Sequence, residues 1–429
     1  MPVDLTGMAA PRGRCDGRHS APNDMSQCRG ESAHPDPSDS RSLPAQPVQL
    51  SSVRRRWKTS AAVSRCACLK LGVTRSMIRR AASSVPRLAR AARSPAIVHL
   101  PQHVRCYLLL LAPASRHEML LDLVPQFLEV LESSDREAAY RRYFNRNRKL
   151  LGAYWRNYVL EPDGQHFDEV VRQVVNADRS DLTTMLARVN VAELAERTAR
   201  EVSEMLNADV DFDVVLMVGV GAANAGELVI DGRGIAFVCL EHFTGVANHE
   251  TSGLGLDAEL LPLWLAHEIA HVIRYTSPTS RSELSSLIGE EDGYYSYWET
   301  GRRATLRELL VNEGLSVQAA RAASPGHAAW EYFGYGRRQF ARIRELEGAL
   351  SGAVSGDLDR RGLGLRLRYL SGGMSDHART IDRWVLPERG GYYLGARLVE
   401  PAVAERGLAW AIRASAAEIA ELGREAATA

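Results

Sequence analysis

The segment Leu265-Ala266-His267-Glu268-Ile269-Ala270-His271-Val272-Ile273 constrains this chain more than any other. Two histidines and a glutamate stand among apolar residues, where ionisable side chains need partners to be buried. On a helix four residues advance by about 400°, so His267 and His271 lie roughly 40° apart, one turn from each other. Leu265, Ile269 and Val272 then face the core and fix the helix from behind. Two imidazoles set this way reach one ion at about 2.0–2.1 Å. Glu268 lies beside that ion without binding it, placed to accept a proton from water. Zinc supplies the rest: it lowers the pKa of water from about 15.7 to about 7 and polarises a carbonyl oxygen. Glu268 takes the proton as oxygen attacks and delivers it to the leaving amine. The opposing reading is a helix with two incidental histidines and a solvated glutamate.

Such a site needs a third protein ligand and an open fourth position. Leu309-Leu310-Val311-Asn312-Glu313-Gly314-Leu315-Ser316 offers a carboxylate in a second apolar helix. Glu308 is the rival, and five residues of helix turn the two about 140° apart. Glu313 shares its face with Leu309, Leu310, Val317 and Ala320, which is the buried stripe. Glu308 shares its face with Thr305 and Asn312, which reads as more solvated. The face argument selects Glu313. The metal set is thus His267, His271 and Glu313, with one Zn2+ per chain.

His267-Glu268-Ile269-Ala270-His271 followed by Asn312-Glu313-Gly314 resembles the gluzincin metallopeptidases. It resembles more closely an uncharacterised bacterial family of predicted zinc-dependent proteases. That family has a late motif similar to Gly391-Tyr392-Tyr393-Leu394-Gly395, followed by Leu398-Val399-Glu400. The resemblance runs from about Val214 to Ala411. It implies a thermolysin-like (zincin) core, a small sheet packed on the active-site helix and a helical second half. The chain departs from the pattern in three places. Thr276–Arg303 is a long insert that could serve as a lid or substrate wall. Gly221-Ala222-Ala223-Asn224 only faintly resembles the amino-terminus-reading motif and lacks its glutamate, which argues against aminopeptidase activity. Val317 stands where an aspartate would orient a ligand histidine, so the partners of the histidines stay open.

The transition state develops an oxyanion, and members of this clan often bind it with Tyr or His. Tyr393 is favoured over Tyr392, and both over His377. The alternative is a tyrosine packed in the core with its hydroxyl satisfied. His242, His249 and His327 read as surface or loop residues. The strand Gly234–Leu240 is either an ordinary core strand or an edge that aligns an extended peptide by main-chain pairing.

Charge divides the chain. Residues 1–118 hold 19 Lys/Arg against 7 Asp/Glu, whereas the remainder holds 34 against 45. Residues 1–50 are rich in Pro, Ser, Gly and Asp without periodicity and read as disordered. From Ser40 to His117 there is no Asp or Glu. That stretch fits a targeting leader, an electrostatic tail, or an over-extended start with Met119 as the true beginning. The absence of an aromatic or motif pattern favours the last, or plain disorder, and argues against nucleic acid as a partner. Five of the six cysteines lie in this leader and only Cys239 in the body. A disulfide-stapled fold is therefore excluded for the body, and a reducing, cytoplasmic location is expected. Cys66-x-Cys68 has no second pair to complete a zinc site. No apolar run approaches the roughly 20 residues of a membrane span.

The body opens near Met119 with Leu120, Leu121, Val124, Phe127, Leu128 and Leu131 at helical spacing. Helices follow over Tyr140–Tyr158, Phe167–Val175 and Ala192–Leu206. Val214–Val220 reads as a buried strand, and Glu227–Asp231 and Gly234–Leu240 as two more joined at Asp231-Gly232-Arg233-Gly234. From Leu260 the pattern is mostly helical. The expected class is α+β with a small mixed sheet. The regions are 1–118, the leader; 119–208, helical; 209–275, sheet and active-site helix; and 276–429, helical with the third ligand. The expected function is zinc-dependent hydrolysis of a peptide or protein substrate, as an endopeptidase or oligopeptidase. A narrower form is a regulatory protease that cuts one protein. The alternative is a non-catalytic zincin-fold binding or regulatory protein whose basic leader contacts nucleic acid or anionic lipid.

Overall fold

The computed structural model describes residues 119–428 except 160, 163, 165, 373, 374, 382 and 383, with side chains through 424. The readings made of residues 1–118, Cys66-x-Cys68 included, lie outside the described residues. Four strands form one mixed sheet: β1 (Met119–Asp122), β2 (Phe212–Met217), β3 (Ala225–Ile230) and β4 (Arg233–Cys239). Their spatial order is β1-β2-β4-β3. β1, β2 and β4 run parallel, and β3 returns antiparallel to β4. Asp231 and Gly232 make that return, with φ of 53° and 76°. Positive φ at both central residues is what a two-residue hairpin turn demands, and Asp-Gly supplies it at little cost.

The helices between β1 and β2 are α1 (Val124–Glu132), α2 (Arg136–Arg146), α3 (Arg148–Tyr158), α4 (Phe167–Asn176), α5 (Ser180–Leu186) and α6 (Val191–Met205). After β4 come α7 (Leu261–Thr276), α8 (Glu283–Glu290), α9 (Tyr297–Arg303) and α10 (Leu306–Ala323). They are followed by α11 (Arg337–Glu345), α12 (Glu347–Ser355), α13 (Leu363–Leu370), α14 (Asp376–Arg379), α15 (Gly390–Arg406), α16 (Leu408–Ala411) and α17 (Ala416–Thr428). The class is α+β and mainly helical. Among the described residues no helix is long and apolar enough to cross a membrane.

One expectation is corrected here, and one open alternative is resolved. Met119–Asp122 is a strand, not the first turn of a helix. It pairs with β2 from Met119↔Asp213 to Asp122↔Leu216. Asp122 then accepts from the Val124 amide at 2.9 Å, and α1 starts with proline in its first turn. Long-range pairing outweighs the weak local preference of a four-residue apolar stretch. Of the two readings of Gly234–Leu240, the core strand is the one observed. β4 is bonded on both sides, and the outer strand against the helix that carries His267 and His271 is β3.

Helix α7 packs against β3 and β4 and against α6 and α10. Leu265, Ile269 and Val272 are fully buried, each contributing about 1.5–3 kcal/mol relative to exposure. Helix α10 is held in turn by α15, and glycine permits the close crossing. A Cβ on Gly314 would lie 2.2 Å from the Gly395 carbonyl oxygen, and one on Gly395 would lie 2.1 Å from that of Leu310. Two of the glycines in the sequence motifs thus serve the packing of α10 on α15.

Candidate metal centre

The helix spacing brings His267 and His271 together with their rings 4.8 Å apart. Close approach of α10 adds Glu313. Its Oε2 lies 3.3 Å from His267 Nε2 and 3.5 Å from His271 Nε2. All three residues are buried, and their ligand-capable atoms lie within 4.8 Å of one another. The donor set, two imidazole nitrogens and a carboxylate, is one that zinc takes. The two Nε2 atoms converge on a single oxygen.

Partners behind the histidines differ. His271 Nδ1 lies 3.0 Å from Ser316 Oγ, and that hydroxyl donates to the Asn312 carbonyl at 3.2 Å. A hydroxyl that has spent its one hydrogen can only accept from Nδ1–H. The Nε2 lone pair is then free to face the site. Among the described residues, buried His267 Nδ1 has no partner.

Electrostatics follow the packing. Burial holds His267 below its ordinary value, against the pull of Glu313. Burial also opposes a charge on His271, but the carboxylates around it, Glu313 first, outweigh burial and raise it to about 9. Burial would raise Glu313, yet the two imidazoles, His271 first, hold it well below the carboxylate range. Glu268 is pushed well up, by burial first and by neighbouring Glu227 second.

Glu227 was not read from the sequence as part of the site. It stands on β3, and its carboxylate accepts from Tyr158 Oη at 2.8 Å and from Tyr275 Oη at 3.1 Å. Asn312 Nδ2 donates to the same Tyr275 hydroxyl at 3.0 Å. A glutamate inside the otherwise apolar strand Ala225–Ile230 was the available signal, because a buried carboxylate needs partners.

A cleft of about 80 Å³ opens on the group, lined among others by Glu227, Glu268, Tyr297, Arg366, Arg389 and Tyr392. Ala223 and Asn224, from the faint amino-terminus motif, also line it. Tyr392 stacks on His267, ring to ring at 6.3 Å. Tyr393 turns away, which corrects the choice between the two. Its hydroxyl donates to Glu347 at 2.9 Å, and its ring packs on Phe333 and Phe340. Consecutive helical residues point about 100° apart, so only one of the pair can face the cleft. His377 is exposed on α14 and does not line the cleft.

Glu308 is not solvated. It is 1 % exposed, and Arg274 Nη2 donates to it at 2.7 Å. His242, read as a surface or loop residue, is buried and accepts from the Leu254 amide at 3.3 Å. His249 is exposed and His327 half-buried. From the insert Thr276–Arg303, Tyr297 lines the cleft, and the Tyr295 amide donates to the Val229 carbonyl of β3 at 3.0 Å.

Fold and site together define an α+β chain with a buried His-His-Glu group able to hold a metal ion. No family model, curated protein or solved structure matches the chain.

Proposed function

We propose that this chain hydrolyses peptide bonds, using one zinc ion held by His267, His271 and Glu313 and Glu268 as general base. The reading rests above all on both histidine Nε2 atoms converging on the Glu313 carboxylate inside a buried cleft. We further read the core as thermolysin-like, because a small sheet packs on the histidine-bearing helix and the third ligand comes from a later helix.

Zinc, when bound, supplies a Lewis acid that acidifies water and polarises a carbonyl oxygen. Glu268 takes a proton from the attacking water. The water oxygen bonds to the carbonyl carbon, the C–N bond breaks, and the proton passes to the amine. In the metal-free protein burial and Glu227 favour a protonated Glu268, so its role as base requires the carboxylate form, which a cation bound beside it would favour. Burial keeps the Tyr392 hydroxyl protonated and therefore able to donate to a developing oxyanion. Ser316 holds the His271 tautomer.

The test is a peptide-library digest with zinc analysis of wild type and Glu268→Gln. Both should carry one zinc per chain. Hydrolysis should fall by about 10²–10⁴-fold in the variant, the usual weight of a general base. Metal-free wild-type protein, or full activity in Glu268→Gln, overturns the proposal.

A further inference from the structure

The cleft holds two arginines that the hydrolysis above does not use. Arg366, on α13, is 5 % exposed, so its guanidinium is withdrawn from water. It donates to the Tyr297 carbonyl at 2.9 Å and the Tyr295 hydroxyl at 3.1 Å, and it lies 3.5 Å from the centre of the Tyr297 ring. Among the described residues no carboxylate reaches ion-pair distance of Arg366 or of Arg389. Arg389 is half-buried, lies over the Tyr392 ring at 4.4 Å and donates from Nη1 to the Gly334 carbonyl at 3.3 Å, and among the described residues its buried Nε has no partner. Burying a guanidinium without a counter-charge is costly.

The carboxylates of the cleft are engaged elsewhere. Glu227 is taken by two tyrosine hydroxyls, Glu313 by two imidazoles, and Glu268 stands beside Glu227. The fold also makes room for Arg366 in particular. A Cβ on Gly301 would lie 2.6 Å from its Cδ and 3.0 Å from its Nη1.

The outer strand beside the site limits how a peptide can lie. At Glu227 both outward main-chain groups meet the Tyr158 hydroxyl: the amide donates to it at 3.0 Å, and the carbonyl, at 2.9 Å, shares its one hydrogen with the Glu227 carboxylate. At Val229 the carbonyl is taken by the Tyr295 amide. A long extended strand therefore cannot pair along the whole of β3. The cleft itself, about 80 Å³, holds a small group.

We propose that Arg366 and Arg389 form a carboxylate-binding subsite beside the metal ligands, and that it takes the C-terminal carboxylate of a short peptide. The inference rests on the hydrolytic reading and narrows it to removal of residues from a carboxyl end. A planar guanidinium fork matches a carboxylate, and each charge-assisted hydrogen bond is stronger than a neutral one.

The experiment is calorimetry on the full chain carrying Glu268→Gln, with and without zinc, so that binding is read without turnover. The probes are N-acetyl tetra-alanine, its C-terminal amide, and an amide with one internal glutamate. The free acid should bind about 100-fold more tightly than the plain amide, the order expected for paired charge-assisted bonds. That preference should shrink to near unity in Arg366→Lys and fall in Arg389→Gln, with zinc content unchanged. Equal binding of acid and plain amide overturns the subsite without recourse to any arginine variant. Rescue by the internal glutamate moves the carboxylate to a side chain and overturns the terminal assignment. Persistence of the preference in both arginine variants assigns it to the metal instead and also overturns the proposal. Zinc content of the same samples tests the hydrolytic reading separately. An acid preference in protein that takes up no zinc would leave the subsite standing and that reading fallen.

Discussion

Two glutamates on α10, five residues apart, are both buried, and they end on opposite kinds of partner. Glu308 meets a permanent cation. Arg274 donates to it from Nη2 at 2.7 Å and from Nε at 3.2 Å, and also donates from Nη1 to the carbonyls of Ile412 and Ala414. That guanidinium keeps its charge at any working pH. The pair therefore ties α10, α7 and the chain after α16 into one strut. Glu313 meets two imidazoles instead, whose charge depends on conditions and whose Nε2 atoms can become lone-pair donors. One carboxylate is closed by its partner, and the other is left in a set that a divalent ion can enter. Burial alone does not separate the two, but the chemistry of the partner does.

The contrast breaks most plainly at Glu313. In Glu313→Gln the amide is neutral and a poorer ligand, so stoichiometric zinc should be lost. The zinc-free protein should lose some stability, because the carboxylate that raises His271 is gone, but less than at Glu308, since an imidazole can shed its proton and a guanidinium cannot. Elemental analysis after exhaustive dialysis reads the first, and a melting curve the second. One zinc per chain retained in the variant would remove Glu313 from the metal set. The opposite pattern belongs to Glu308→Gln. It strands Arg274 in a buried place, and breaking a buried pair in this way costs about 3–5 kcal/mol. Urea unfolding of zinc-free protein should show that loss, while the folded fraction still takes up zinc. A loss below about 1 kcal/mol, the level of a surface pair, would erase the distinction between the two residues.

The distinction was only half legible in the sequence. The four-residue spacing of His267 and His271 fixes a shared helix face, because α-helix geometry is local. The apolar stripe around Glu313 pointed to the right carboxylate for the same reason. It failed at Glu308, since Thr305 and Asn312 suggested water on that face. The partner that buries Glu308 sits 34 residues away in sequence, and helical periodicity carries no information about it. Tyr392 and Tyr393 show the same limit. Adjacent helical residues diverge, but which one faces the cleft depends on how α15 crosses α10. The strand Met119–Asp122 is recognisable only through β2, roughly ninety residues later by the register of the pairing. Glu227 and Ser316 could have been suspected as polar residues in apolar surroundings. Their roles needed the tertiary contacts to Tyr158, Tyr275 and His271.

Ser316 offers the finest cut at the same comparison, because it acts on the open site without touching the carboxylate. Its hydroxyl donates to Asn312 and so accepts from His271 Nδ1. Removing it in Ser316→Ala frees the ring to turn and to change tautomer. Loss of such a partner typically lowers metal affinity by about 10–100-fold. A zinc titration against a competing chelator would measure this. His271, raised to about 9 in the metal-free protein, must give up a proton to bind zinc. Affinity should therefore rise with pH until that value and then level, in wild type and variant alike. If Ser316 works by orienting the ring, the two curves stay separated at every pH, since orientation is lost whatever the protonation. If the gap closes once His271 is neutral, Ser316 acts by shifting the proton rather than by aiming the nitrogen.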